Sequence, residues 1–402
     1  MNISKTDGNI TTPLGFKAIG IHSGVKNKRK DLGLIVSDKP AAAAAVYTLN
    51  AIQAAPLRLT KESVAKNGLI QAVIANSGNA NACTGPQGEE DALSMQRSVA
   101  SLLGVQEDLV AVASTGVIGV PMPMDIITPG IDKLVPAAGK DAAKAFSEAI
   151  LTTDTFAKTT CYEATIGDKK ITLAGISKGS GMINPNMATM LGFITTDAAI
   201  EPEFLQLALS SAVDKTFNCI TVDGDTSTND MVLVMANGLA GNEGLTPEHK
   251  DWPVFIKLIG LVCEDLAKLI ARDGEGATKL IEVDVKGAAS DKEAVQVAKS
   301  VVGSSLVKTA VYGTDANWGR IIAAIGYSGA SVNPDTIDTA IGPFQMLKDS
   351  QPLVFSEEEA KAYLENDSIL ITIDLKNGEG SGKAWGCDLT YDYVRINASY
   401  RS

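Results

Sequence analysis

The sequence predicts a layered α/β protein, of the α+β sandwich type, built as two lobes. Short apolar runs alternate with stretches of helical periodicity over the whole length, a pattern typical of sheets covered by helices. The 402 residues are 45% hydrophobic and 20% charged, a globular composition in a chain long enough for more than one core. The character of the sequence changes near residue 282, so we expect residues 283–402 to form a separate C-terminal α/β lobe.

The predicted strands are short runs rich in Val, Ile and Leu, most of them bounded by turn-forming residues. The alanine run Ala41–Ala45, which follows Pro40, is expected to pack inside the protein. The strand candidates are Leu69–Ile74, Leu109–Ala113, Ile171–Ile176, Met190–Thr195, Met231–Ala236, Leu280–Val285, Arg320–Ile325 and Ile369–Leu375.

The clearest predicted helix is Trp252–Ala271. Its large apolar residues from Phe255 to Leu269 recur every three or four positions and form one apolar face. No GxGxxG or GxxxxGK[ST] pattern occurs, and in Gly274–Lys279 the second glycine and the lysine have the wrong spacing for a phosphate loop, which disfavours nucleotide-binding folds. The other helix candidates are Glu89–Leu103, Asp141–Leu151, Glu203–Thr216 and Asp291–Val302.

The charge balance favours a small-molecule enzyme. The net charge of −12 disfavours nucleic acid and anionic membranes as partners, and the basic cluster Lys26–Lys30 is interpreted as a solvated loop. Residues 1–17 lack the apolar core of a signal peptide, and no run of about 18 apolar residues predicts a membrane span. The five cysteines are scattered without CxxC spacing, which indicates reduced thiols in a cytoplasmic protein.

The sequence contains few histidines, which limits the catalytic mechanisms that depend on an imidazole. Only His22 and His249 are present, and neither has neighbours typical of a catalytic imidazole. A zinc site built on several histidines is excluded by this number, and we predict no metal site. A base that acts near neutral pH is therefore expected to be a group other than imidazole.

Glycine and small polar residues concentrate in four segments that follow predicted strands, where binding and catalytic groups commonly lie. Any one of these segments alone would be interpreted as an ordinary turn, but four of them together indicate a shared site. The segments are Asn76–Gly85, Ser114–Gly119, Lys178–Gly192 and Asp223–Asp230.

The third segment contains a candidate nucleophile, Thr189, at a junction between loop and strand. Attack of its hydroxyl on the preceding carbonyl would move the acyl group from nitrogen to oxygen, and hydrolysis would free Thr189 as a new N-terminus. The new α-amino group has an ordinary pKa of about 7.7–8.0. It would supply the general base that the histidine content does not.

The segments also carry a family resemblance. Lys178–Leu191, Ser114–Gly119 and Asn76–Gly85 closely resemble the glutamate/ornithine N-acetyltransferases of arginine biosynthesis. Further motifs in family order extend the resemblance over the whole chain, and these are Thr152–Thr155, Asp223–Asp230, Arg272–Lys279, Gly313–Arg320 and Asn397–Ser402.

The resemblance implies self-cleavage between Ala188 and Thr189. The products would be an α chain of residues 1–188 and a β chain of residues 189–402, which stay together as an α2β2 heterotetramer. The α chain and residues 189–282 would form the catalytic lobe.

The resemblance also implies the roles of individual residues. Thr115 and Gly116 match the oxyanion hole, and Thr189 matches the nucleophile. As our own hypothesis, Lys178 suits a substrate carboxylate and Glu275 suits the side-chain ammonium of ornithine. The implied substrate contacts are Thr152, Lys178, Thr189, Glu275, Asn397 and Ser402.

The implied reaction is a ping-pong transfer of acetyl from N-acetylornithine to glutamate, without a bound cofactor. The motifs leave open whether acetyl-CoA is a second donor. One alternative is a related aminopeptidase or amidase with an N-terminal nucleophile, in which water accepts the acyl group. A second alternative is a non-enzymatic binding protein that retains the loops.

Overall fold

The computed structural model describes residues 3–184 and 190–399. Two units are distinguished by their internal contacts. Within the described residues, the first comprises 3–179, 190–214 and 226–266, and the second comprises 180–184, 215–225 and 267–399. The mixed α/β class predicted from the sequence is confirmed, while the predicted lobe boundary at residue 282 stays a prediction.

The first unit contains a nine-stranded mixed sheet in the order β1-β6-β7-β8-β10-β3-β4-β5, with β2 paired to β3. The pairs β4/β5 and β8/β10 are parallel and the other pairs are antiparallel. The strands are β1 (Ile3–Lys5), β2 (Phe16–Ile21), β3 (Leu32–Tyr47), β4 (Leu69–Asn79), β5 (Val110–Val117), β6 (Lys158–Ile166), β7 (Lys169–Lys178), β8 (Leu191–Thr196) and β10 (Met231–Ala236).

Both faces of this sheet are buried. Along β5, Val110 and Val112 belong to one apolar core, whereas Ala111 and Ala113 belong to another. Such alternation requires a layer of helices on each face. The helices are α1 (Ala55–Asn67), α2 (Gly85–Leu103), α3 (Met124–Ile131), α4 (Lys140–Ile150), α5 (Pro202–Asp214) and α6 (Trp252–Arg272), with a 3-10 turn at Glu107–Leu109; α6 ends in the second unit.

The alanine run lies in β3 and is buried, as predicted. Its small side chains allow α5 to approach the strand, and the backbone N–H of Ala45 donates to the Gln206 side chain at 3.1 Å. The ladder between β3 and β4 is irregular between Val36 and Ala41, around Pro40. Proline, which has no N–H, is tolerated in a sheet at such an irregularity.

The second unit contains a sheet in the order β14-β13-β12-β15-β11-β16-β9. One face is apolar: Val283 on β11 and Ile371 on β15 pack with the helices, while Glu282 on the other face pairs with Lys383. The elements are β9 (Ile220–Thr221), β11 (Leu280–Ala288), α7 (Asp291–Gly303), α8 (Ser305–Tyr312), α9 (Trp318–Gly326), β12 (Asp338–Ile341), β13 (Phe344–Lys348), β14 (Gln351–Pro352), α10 (Glu357–Leu364), β15 (Ser368–Asp374), β16 (Gly380–Cys387) and α11 (Tyr391–Ala398), with a 3-10 turn at Phe217–Cys219.

One predicted strand is wrong. Arg320–Ile325 lies within helix α9, because Ile321, Ala324 and Ile325 recur at three- and four-residue spacing and all enter the apolar core of the second unit. A short apolar run fits a strand and a buried helix equally well when it is judged alone. The other predicted strands and helices are confirmed, with ends shifted in most of them.

Candidate active site

The predicted oxyanion segment lies at the end of β5. Gly116 pairs with Gly78 of β4 and has a φ of +137°, a conformation that favours glycine. A Cβ at this position would overlap the backbone of Gly78 and Asn79. Beside it, the Ser114 hydroxyl donates to Asn76 Oδ1 at 2.6 Å in a buried position. The backbone around Thr115 and Gly116 is therefore closely packed against the neighbouring strand.

Asn229 joins three of the four glycine-rich segments. Its buried side-chain amide donates to the Ala80 carbonyl at 2.6 Å and to the Ser114 carbonyl at 2.9 Å. The sequence showed Asn229 only as part of a motif and gave no sign of this role. Because a buried amide needs partners, the contact holds the fourth segment against the first two.

Lys178 and Thr115 are brought together. The Lys178 ammonium, at the end of β7, lies 3.3 Å from the Thr115 hydroxyl, and Lys178 is only 8% exposed. A buried ammonium requires anionic or polar partners, since burial disfavours its charge. The arrangement places a positive charge beside the predicted oxyanion hole.

Asp154 is the buried anion at the centre of this region, and its importance was missed in the sequence beyond its place in a motif. Its Oδ1 accepts from Lys158 Nζ at 2.6 Å and from the Gly179 N–H at 2.7 Å, and its Oδ2 accepts from the Thr152 N–H at 2.9 Å. The side chains of Asp154 and Lys158 are fully buried. Asp154 thus fixes Thr152 and the turn that follows Lys178.

The pKa values of two buried carboxyls in this unit, Asp154 and Asp230, are shifted in opposite directions. Burial acts to raise the pKa of Asp154, but the charges of Lys178 and Lys158 outweigh it and hold the pKa well below its usual value. At Asp230, burial dominates and raises the pKa well above its usual value. Asp230 Oδ2 has no hydrogen-bond partner within the described residues. The first carboxyl is therefore held as an anion, whereas burial favours the neutral form of the second.

Two further residues predicted to bind substrate, Glu275 and Asn397, contact each other within the second unit. Asn397, in α11, donates from Nδ2 to Glu275 Oε2 at 2.7 Å, and Glu275 is only 7% exposed. A Cβ at Gly181 would overlap the Glu275 carboxyl, so the glycine leaves room for that group. Glu275 is therefore ordered by Asn397 in a space that a larger residue at 181 would fill.

The predicted site residues thus fall into two described groups. Thr115, Gly116, Thr152 and Lys178 belong to the first unit. Glu275 and Asn397 belong to the second. The remaining predictions, Ala188, Thr189 and Ser402, lie outside the described residues, and the catalytic and binding roles stay predictions.

Among residues 3–184 and 190–399, no cluster of three or more His, Cys, Asp or Glu side chains has the arrangement of a metal site. The cysteines are free; Cys83 is exposed and the other four are buried. Burial raises the pKa of the Cys387 thiol to about 11, so it is protonated at neutral pH. None of the helices in the part of the chain that the structure describes is both long and apolar enough to span a membrane.

A family model described as the ArgJ family matches residues 17–402. The chain belongs to the ArgJ family. This result confirms the resemblance seen in the motifs. The arginine biosynthesis bifunctional protein ArgJ of Halalkalibacterium halodurans is 63% identical over 403 residues, which cover 100% of this chain and 98% of the relative. The protein of the same name from Bacillus licheniformis is 60% identical over 401 residues, with the same two coverages.

A solved ArgJ-family structure covers part of the chain. The crystal structure of arginine biosynthesis bifunctional protein argJ from Bacillus halodurans has 69% sequence identity and a TM-score of 0.52. The match covers 100% of that solved chain but 53% of this one. The family relatives thus extend over the whole sequence, whereas this solved chain corresponds to about half of it.

Proposed function

We propose that the chain is a self-cleaving acetyltransferase of arginine biosynthesis, which moves acetyl from N2-acetylornithine to glutamate through an acetyl ester of Thr189. ArgJ family membership over residues 17–402 and relatives 63% and 60% identical over their length support the reaction class. The structural observation that carries the proposal is the Lys178 ammonium 3.3 Å from the Thr115 hydroxyl, beside Gly116.

In the first half-reaction, Thr189 Oγ attacks the acetyl carbonyl of N-acetylornithine. The α-amino group of Thr189 takes the hydroxyl proton and passes it to the departing ornithine nitrogen. In the second, the glutamate amino group attacks the ester, and its proton returns through the same amine to Thr189 Oγ. Each tetrahedral oxyanion would accept hydrogen bonds from Thr115 and Gly116, and Lys178 would make the Thr115 hydroxyl a stronger donor by polarising it.

The length of the solved relative supports self-cleavage before Thr189. Residues 189–402 are 214 of the 402 residues, or 53%, which is the share of this chain that the solved Bacillus halodurans chain covers over its full length. We propose that the α and β fragments form an α2β2 assembly in the cytoplasm. Because the curated relatives are named bifunctional, we propose acetyl-CoA as a second acetyl donor to Thr189.

The reaction is tested by supplying each donor with and without glutamate. We expect N-acetylglutamate to form from N-acetylornithine and from acetyl-CoA, with release of ornithine or free thiol only as fast as glutamate is acetylated. Deacetylation of N-acetylornithine at a rate indifferent to glutamate would instead establish the hydrolase alternative. The absence of any acetyl transfer in the processed protein would contradict the proposal.

Thr189→Ala is expected to remain a single uncleaved chain without activity, because alanine has no hydroxyl for either attack. Denaturing electrophoresis and the acetyl-transfer assay measure the two effects. Thr189→Ser is the matched control, since it keeps the hydroxyl and should cleave and turn over. Cleavage of the Ala variant at the same bond would exclude Thr189 as the nucleophile of self-processing.

A further inference from the structure

Lys26 departs from the interpretation of the basic cluster as a solvated loop. Lys28 is exposed, but Lys26 is half-buried. The cause is Asp31, a buried carboxylate that accepts backbone N–H groups from Ser23, Gly24 and Lys26 at 2.6, 3.1 and 2.9 Å. These hydrogen bonds fold the loop around the carboxylate and fix the backbone from which Lys26 extends.

The stem of Lys26 lies along the predicted oxyanion segment. Gly78 has a φ of +101°, and a Cβ there would lie only 3.0 Å from Lys26 Cγ. Gly78 in turn pairs with Gly116. The lysine stem therefore crosses the backbone that supports Gly116, in space that a side chain at position 78 would occupy.

The ammonium of Lys26 lies next to the predicted substrate-binding residue Thr152. Its Nζ donates to the Leu151 carbonyl at 2.9 Å, and the next residue is Thr152. The charges of Asp154 and Lys178 both act on it. An ammonium has three N–H donors, and the described contact uses one of them. Lys26 thus has hydrogen-bonding capacity left for an anionic ligand.

We propose that Lys26 is a substrate-binding residue whose ammonium, together with Lys178, holds the α-carboxylate shared by N-acetylornithine and glutamate. The inference rests on the proposed function. It follows from distance along the substrate: the α-carboxylate is separated by one carbon from the nitrogen that bears the acetyl group. A carboxylate so close to the reacting carbonyl requires its cations beside the oxyanion hole. The Lys178 ammonium contacts the Thr115 hydroxyl, and the Lys26 stem passes Gly78, which pairs with Gly116.

The electrostatics of Lys26 give the inference a pH signature. Burial and then the charge of Arg29 lower the pKa of Lys26 to about 8, with Lys178 acting in the same direction and Asp31 and Asp154 against it. Lys26 is fully protonated well below pH 8, and it loses its positive charge as the pH rises through about 8. Carboxylate binding through Lys26 should weaken over that range.

The test is steady-state kinetics of processed Lys26→Met with both substrates. Loss of a charge-assisted hydrogen bond formed equally in the ground and transition states should raise KM roughly 10- to 100-fold, with kcat within a few fold. KM should rise for both substrates, because both carry the α-carboxylate. Lys28→Met, a charge loss in the exposed part of the same loop, is the matched control and should behave as wild type.

Lys26→Arg provides the rescue. Arginine stays charged at every accessible pH. The KM of Lys26→Arg should therefore stay within several fold of the wild-type value, and it should not show the increase above pH 8 that neutralisation of Lys26 causes in the wild type. Unchanged KM values in Lys26→Met, or a rise for glutamate alone, would overturn the assignment. Self-cleavage of each variant, read on a denaturing gel, shows that the site has folded. A wild-type protein without transfer activity would refute the proposed function instead.

Discussion

At the residue scale, the backbone beside Thr115 depends on glycine for a steric reason. Gly116 and Gly119 both have positive φ values, of +137° and +78°. A Cβ at Gly116 would overlap the backbone of Gly78, whereas a Cβ at Gly119 would meet no atom within 4 Å. A comparison of the two positions therefore distinguishes the need for a positive φ, which both share, from the need for space, which only Gly116 has.

Gly116→Ala is expected to reduce acetyl transfer by about 100-fold or more, because displacement of one oxyanion donor has effects of that size. Gly119→Ala should cost only the strain of a positive φ, about 1–2 kcal/mol of stability, and leave kcat near wild type. Initial rates and thermal melting of the two processed variants provide the comparison. Equal losses of activity would mean that conformation alone, and not contact with Gly78, makes Gly116 necessary.

At the element scale, the segment between α4 and β6 is held to the end of β7 by one carboxylate. Asp154 connects Thr152, Lys158 and Gly179 within the first unit, and it is fully buried with Lys158. Removal of one member of a buried ion pair leaves the other charge uncompensated. The segment should therefore be far more sensitive to Asp154 than to an exposed carboxylate.

Asp154→Asn is expected to lower the free energy of unfolding by about 3–5 kcal/mol at pH 7. The wild-type advantage depends on an ionised Asp154, whose pKa is depressed in the folded state. It is complete above the unfolded-state pKa of about 3.9 and shrinks as the pH falls toward the folded-state value. Urea unfolding at pH 7 and pH 3 measures both effects.

Asp168→Asn is the matched control, because Asp168 is 86% exposed and pairs with Lys169 at the surface at 3.3 Å. It should not shift the unfolding midpoint measurably. A shift equal to that of Asp154→Asn, or a wild-type advantage over Asp154→Asn that does not change toward pH 3, would contradict the role given to the buried pair.

At the scale of the whole molecule, the proposed cleavage falls between strands of one sheet. Strand β8 follows residue 189 and pairs with β7 over six residues, and β10 pairs with β3 over six residues. Both ladders join residues of the proposed α chain to residues of the proposed β chain. The nine-stranded sheet of the first unit therefore needs both fragments.

The processed protein should give two bands on a denaturing gel and one peak in size-exclusion chromatography, with both fragments in that peak. The shared sheet explains this, since separation would break both ladders and expose four strand edges, those of β3, β7, β8 and β10, and the cores beside them. Uncleaved Thr189→Ala should elute at the same volume. Fragments that elute apart without denaturant would show that the shared sheet does not hold the processed protein together.

The sequence by itself determined the fold class, most elements and the family. Hydrophobic periodicity is local, and motifs are read directly from residue order. The sequence also named Thr115, Lys178 and Glu275 as candidates, although their roles stay predictions. It could not choose helix or strand for Arg320–Ile325, because a short apolar run becomes one or the other only against a particular core.

Only the tertiary structure decided which charges are buried and what they face. Lys26 looks like its neighbours in the sequence, and its inward turn depends on hydrogen bonds to Asp31 and on the space at Gly78. Asp154 and Asp230 are the same residue type, yet Asp154 is surrounded by lysines whereas burial dominates the pKa of Asp230. The burial of a charged group and the charges around it depend on residues far apart in the chain. The distances between such residues cannot be deduced from a local sequence pattern.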